Sequence, residues 1–139
     1  MSIEKCKTEA DRWLTTAKDD LDSAAILSRS SKFAHACFHA QQAAEKAVKA
    51  VWYLVDSDPW GHSIKKLIDD LEQVDINKYK ILIKLERSGR LLDRFYIPTR
   101  YPNGLPDITP DAAYTDEDAD TCIGYAAAIL DVVSEILTS

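Results

Sequence analysis

The sequence has little that breaks a helix and nothing that builds a metal centre or a disulfide framework. Only 4 Gly and 5 Pro occur in 139 residues, and all the prolines but Pro59 fall between Tyr96 and Tyr114. Helices elsewhere therefore meet few interruptions. The 3 cysteines, Cys6, Cys37 and Cys122, are odd in number and far apart, which excludes a paired-cysteine zinc set. Cys37 and Cys122 lie in apolar helical contexts and read as buried thiols of a reducing compartment. No apolar run approaches bilayer-spanning length, and Met1-Ser2-Ile3-Glu4-Lys5 lacks the apolar core of a signal peptide. The expectation is a cytoplasmic chain with no membrane partner. Excess positive charge is also missing: the net charge of −6 argues against broad attraction to polyphosphates and leaves room only for a local basic patch. No serine sits in a Gly-rich elbow, and Cys37 points roughly 160° to 200° away from His35 and His39 on a helix, so no covalent nucleophile is assembled. No metal and no cofactor is expected.

What is present is ordinary globular composition, 46% hydrophobic and 29% charged, in a length that suits one domain spanning residues 1–139. The first helix is predicted from about Ile3 to Ser28. There Ala10, Trp13, Leu14, Ala17, Leu21, Ala24 and Ala25 recur at three- and four-residue spacing and make one apolar stripe. Ser30 or Ser31 is placed to cap the next helix. The second helix, about Lys32 to Val55, is the most apolar; its stripe of Ala36, Ala40, Ala43, Ala47, Val51 and Leu54 lets neighbours approach closely and marks it as central. A short third helix is predicted over about Ile64 to Gln73, capped by Ser63. A fourth should run from about Ile76 to Phe95, weakened at Gly89, where a kink is expected. The proline-rich stretch from Tyr96 to Tyr114 is predicted as a long loop. Thr115 then caps a last helix whose Asp116, Glu117 and Asp118 sit at the positive end of its dipole. The fold class is therefore all-α: an antiparallel up-and-down bundle of four long helices plus a short one.

Local patterns in this order resemble one family, the HEPN domain. They are Ala17-Lys18-Asp19-Asp20-Leu21 in the first helix, the run from Phe38 through His39, Gln41, Gln42 and Lys46 to Ala50 in the second, and His62-Ser63-Ile64 with Leu67 at the third. Arg100-Tyr101-Pro102 in the loop follows, ahead of the acidic helix start and an Ala-rich final helix. The resemblance spans nearly the whole chain. It implies a compact helical bundle, often a homodimer, and a nucleotide- or partner-binding role. It also implies a minimal nucleotidyltransferase as protein partner in a toxin-antitoxin type system. The alternative it implies is a metal-independent RNA endonuclease acting as a toxin, through an Arg followed four to six residues later by a His.

Arg29 and His35 satisfy that spacing. An imidazole can take a proton from a ribose 2′-hydroxyl while an Arg fork stabilises charge on phosphate. The pair, however, straddles the first two helices instead of opening a late one, and no histidine follows His62. A solvated His and an Arg at a helix C-terminus are the competing reading. Two patches are the stronger candidates for binding a nucleotide or a partner. His39, Gln42, Lys46 and Lys49, with His35, fall within about 80° of the second helix, at 100° per residue. They form a polar strip that is either a solvated face or a phosphate- or partner-binding surface. Arg94, Arg100 and Tyr101 form the second: an anion pocket in which Tyr101 stacks on a base, or a loop plug in which Arg100 bonds carbonyls. Trp13 lies on the core stripe, while Trp52 and Trp60 are placed for packing or a dimer contact.

Overall fold

The computed structural model describes all 139 residues, and every regular element is helical. Three long helices carry the core: α1 (Ile3–Arg29), α2 (Phe33–Leu54) and α7 (Asp116–Thr138). Four shorter ones, α3 (Ile64–Asp70), α4 (Ile76–Leu82), α5 (Glu86–Asp93) and α6 (Pro110–Ala113), lie between α2 and α7 in the chain. The short connection after α1 folds α2 back against it, and α7 packs on both. The predicted stripe of α2 is buried along most of its length: Ala36, Ala40, Ala43, Ala47 and Val51 are all inaccessible, and Leu54 at its end is partly buried. Its alanines let the α1 and α7 backbones come close.

Local signals explain most ends. Ser2, Ser63, Asp75 and Thr115 each accept a hydrogen bond from a backbone N–H of the following turn. Thr115 and Asp118 complete a reciprocal capping box. The α1–α2 corner is different from expectation. Neither Ser30 nor Ser31 caps α2; Lys32 holds that place with no side-chain bond, because Ser31 is spent on turning the chain at φ 59.

The predicted fourth helix is two helices. The break is not at Gly89 but at Ile83–Leu85, a single 3-10 turn between α4 and α5. Gly89 lies inside α5, and its missing side chain serves packing: a Cβ there would stand 2.7 Å from Ile64 Cγ2, so α3 and α5 touch where only glycine fits. The proline-rich stretch is likewise not wholly irregular. Pro102–Gly104 forms a 3-10 turn, and Pro110 opens the single-turn helix α6 behind a Thr109 cap. Proline is tolerated there because the first helical N–H needs no partner.

One helix, α7, has the length and mean hydropathy (1.5) of a membrane span, so the expectation that no stretch is apolar enough is corrected. Its Ala119, Cys122, Ala126, Ile129, Leu130 and Val133 line the bundle core. Trp13 is half-buried and stacks on Tyr53. Trp52 is buried, its indole N–H donating to the Leu67 carbonyl at 3.1 Å, and Trp60 is 85% exposed.

Candidate functional site

The polar face of α2 proves to be a network whose charges are already paired. Lys46 Nζ lies 2.7 Å from Asp20 Oδ2 of α1, and Lys49 Nζ lies 3.1 Å from Glu45 Oε2. Glu45 is buried, and its carboxylate also meets His62 Nδ1 at 3.4 Å. Below it the buried Gln41 donates to the His62 carbonyl and to Glu45, and accepts from Gln42 at 2.8 Å. His39 is half-buried, its Nδ1 enclosed with no hydrogen-bond partner and 3.9 Å from Asp20 Oδ1. The strip predicted on α2 is therefore assembled, but its two lysines are not surplus charge. A buried ion pair is held by the desolvation that removing either member would leave unmet.

His62 reaches this network because Asp93, at the end of α5, holds the start of α3. Its carboxylate accepts from Ser63 Oγ at 2.8 Å, Ile64 N at 2.7 Å and Lys65 N at 3.2 Å. Burial pushes the Asp93 carboxyl above its ordinary value, against the pull of these three donors, and the nearby charge of Glu45 adds to the rise.

Surplus charge is supplied instead by Arg100. Its guanidinium lies 4.5 Å from the Tyr96 ring centroid, 4.7 Å from Phe38 and 5.0 Å from Tyr101. Its Nε donates to the Tyr96 carbonyl at 3.0 Å, and the buried Thr99 hydroxyl fastens the same turn to the Phe95 carbonyl. Tyr96 in turn stacks on His62 with centroids 4.8 Å apart. No carboxylate lies within ion-pair reach of Arg100. The loop is thereby bound to the α2 face, and an aromatic-lined cation stands at its edge. Such a group can take an anion while its rings offer surfaces to a base.

The two predicted patches are therefore regrouped. Arg100 joins the α2 strip through Phe38 and Tyr96, and with His35 and Asp111 it lines a groove of about 240 Å³. The half-exposed Tyr101 packs on it from outside. Arg94 belongs elsewhere, to a groove between α5 and α7 shared with Arg87, Arg90 and Tyr125. Arg29 is exposed at the C-terminal end of α1 and His35 is exposed in the first turn of α2; no hydrogen bond or common groove joins them. Glu45 was missed from sequence, although its i,i+4 spacing to Lys49 marked the pair. Asp20 and Phe38 stand in the family-like motifs with no role of their own, and in the sequence Tyr96 marks only the start of the loop. No group of His, Cys, Asp and Glu side chains suited to a metal ion occurs.

Fold and site together define a small helical bundle with a polar, aromatic-edged face across its central helix. A family model described as the HEPN domain matches residues 10–136, and the chain belongs to that family. Among solved structures it is similar to TT1696 from Thermus thermophilus, at 38% identity and a TM-score of 0.82, covering 91% of this chain and 97% of that one. It is also similar to ST0689, an archaeal HEPN homologue, at 31% identity and a TM-score of 0.76, with 93% and 98% covered. A curated relative from Methanocaldococcus jannaschii, named "Putative toxin MJ1304", is 29% identical over 134 residues, or 92% of this chain and 88% of that protein.

Proposed function

We propose that this protein is a nucleotide-binding HEPN module of a toxin-antitoxin type system, acting as a homodimer with a minimal nucleotidyltransferase partner. The observation that carries the nucleotide is Arg100: a guanidinium held among three rings and paired with no carboxylate, in a chain of net charge −6. Phosphate oxygens would meet its unused Nη donors, and Tyr101 would stack on the base. His39 and Gln42 would orient the ligand, while Lys46 and Lys49, already paired, would lend little net charge. The toxin setting rests on the name of the M. jannaschii relative, and the nucleotidyltransferase on the resemblance of the motifs described above.

Calorimetry with ATP and GTP, without metal and then with magnesium, tests the ligand. Binding that falls at least tenfold in Arg100→Ala and is unchanged in Lys66→Ala, an exposed lysine of α3, supports the proposal. No heat with any nucleoside triphosphate, or equal heat from Arg100→Ala, refutes it. Co-purification with a nucleotidyltransferase encoded beside it tests the partner, and light scattering tests the dimer.

One observation favours the ribonuclease as second reading: His35 lines the same groove as Arg100. In that reading His35 takes the 2′-hydroxyl proton and Arg100, instead of Arg29, steadies the phosphate. Metal-free RNA cleavage that is lost in both His35→Ala and Arg100→Ala but kept in Arg29→Ala would establish it.

A further inference from the structure

The segment from Lys78 to Arg94 holds six cations, Lys78, Lys80, Lys84, Arg87, Arg90 and Arg94, against the carboxylates of Glu86 and Asp93. Asp93 is turned inward onto α3, and Glu86 is largely covered beneath Arg90 and Lys65. Lys78 is paired with Asp75, which leaves the exposed side of α5 as the locally basic part of an acidic protein. Within that face Arg87, Arg90, Leu91 and Arg94 fall on roughly 100° of the α5 circumference at 100° per residue. They line a groove of about 590 Å³ whose other wall carries Tyr125 of α7. Arg90 is engaged by Glu86. Arg87 and Arg94 are exposed, and neither makes an ion pair. Tyr125 is 41% exposed, and its ring stacks on no other aromatic ring. This groove shares no lining residue with the one at Arg100.

Unpaired guanidinium groups beside an unstacked ring meet two needs of one ligand. Phosphates take the charge, and an unpaired base takes the ring. A duplex offers the phosphates but hides its base faces, and an acidic peptide leaves the ring unused. We propose that the α5/α7 groove docks a single-stranded nucleic acid, with Arg87 and Arg94 on neighbouring phosphates and Tyr125 stacked on a base. Arg87 and Arg94 lie about 10 Å apart along the helix axis, at 1.5 Å per residue, within reach of neighbouring phosphates on one strand. The groove recognises the backbone and a base face, so RNA and DNA strands share the chemistry it needs. It goes beyond the nucleotide reading and uses none of its residues.

The test is fluorescence anisotropy with a labelled uridine dodecamer and a thymidine dodecamer, each titrated with the full-length protein from 50 to 200 mM salt. With two phosphates neutralised, log K should fall with log salt at a slope of about −1.4, or about sevenfold over that range. Arg87→Ala/Arg94→Ala should flatten the slope by about 1.4 and weaken binding at least tenfold. Tyr125→Ala should weaken it roughly tenfold, with Tyr125→Phe restoring it. Lys66→Ala and Arg100→Ala should leave it in place, and circular dichroism of each variant checks folding. The proposal is overturned if neither dodecamer binds at 50 mM salt, or if the double arginine variant binds as the wild type does. It is also overturned if a duplex binds as tightly as the strand, if polyglutamate of matched charge displaces the strand equally well, or if only Arg100→Ala abolishes binding.

Discussion

Adding one methyl group at Gly89 probes the contact that sets α3, and with it His62, against the rest of the site. Gly89 lies within α5, where alanine in an exposed helix would gain about 1 kcal/mol over glycine. Here the new Cβ would stand 2.7 Å from Ile64 Cγ2, 3.3 Å from Ile64 Cβ and 3.4 Å from the Lys65 backbone nitrogen. Ordinary carbon–carbon contact needs about 3.5–4.0 Å, so α3 must retreat or Ile64 must leave its rotamer. Ile64 is fully buried, so there is no open space for it to enter. Overpacking of this kind costs about 1–3 kcal/mol, more than the helix gain. Gly89→Ala is expected to lose about 1 kcal/mol net and roughly 4 °C of melting temperature. Urea denaturation followed by circular dichroism measures it. Ile64→Ala removes the clashing methyl, so Gly89→Ala should become neutral or stabilising in that background, a coupling of about 1–2 kcal/mol. A stabilised single mutant, or additive effects in the double, would refute the reasoning.

Other expectations follow from the same contacts. Glu45→Ala leaves the mostly covered Lys49 without its partner and should cost about 3 kcal/mol in chemical denaturation, whereas Lys66→Ala at the exposed Lys66–Asp70 pair should cost under about 0.5 kcal/mol. Asp93 has a folded pKa raised mainly by burial, so the folded state keeps a proton that the unfolded chain has lost. Its share of stability is present below the usual carboxylate value and declines as pH rises through the raised one. Stability curves from pH 4 upward should show that decline in the wild type and lack it in Asp93→Asn. Asp75 is opposite in sign: its carboxyl is lowered, first by the Lys78 backbone N–H, so its contribution is lost only as pH falls below the usual value. Cys6, Cys37 and Cys122 are all buried, and the Cys122 thiol is pushed up by its hydrogen bond with Cys37 and by burial. Ellman's reagent should leave all three untouched in the native protein and react with them in guanidinium; rapid native labelling of Cys122 would contradict the packing.

Features with a local cause were legible in the residues, and those made by contacts distant in sequence were not. The stripe on α2 and the caps at Ser63 and Thr115 need only neighbours within a turn or two, and each is where periodicity and capping chemistry place it. The division of the fourth helix was not legible, because Gly89 looks like a weak point in isolation and becomes a packing device only when Ile64 is set against it. The membrane-like hydropathy of α7 was overlooked because its alanines and isoleucines are interrupted by Tyr125 and Asp131 rather than forming one run. Likewise, Lys46 reads as surplus charge until Asp20, 26 residues earlier, is brought to it by the α1–α2 hairpin.

That last contact changes where an anion should bind. Judged by composition alone, Lys46 and Lys49 are the strongest anion ligands of the α2 face. In the folded chain each already has a carboxylate within 3.1 Å, and a phosphate would have to displace that carboxylate or bind beside it. Arg100 is in no ion pair: three rings and a carbonyl hold the guanidinium, and Asp111, which lines the same groove, is not within salt-bridge distance of it. Charge removal at Arg100 should therefore cost more nucleotide affinity than the same change at Lys46. Lys46→Met, which keeps the stem and drops the charge, should leave affinity within about threefold, while Arg100→Met should lose tenfold or more, equivalent to at least about 1.4 kcal/mol. Calorimetric titration of both variants decides the order, and a larger loss from Lys46→Met would return the site to the lysines.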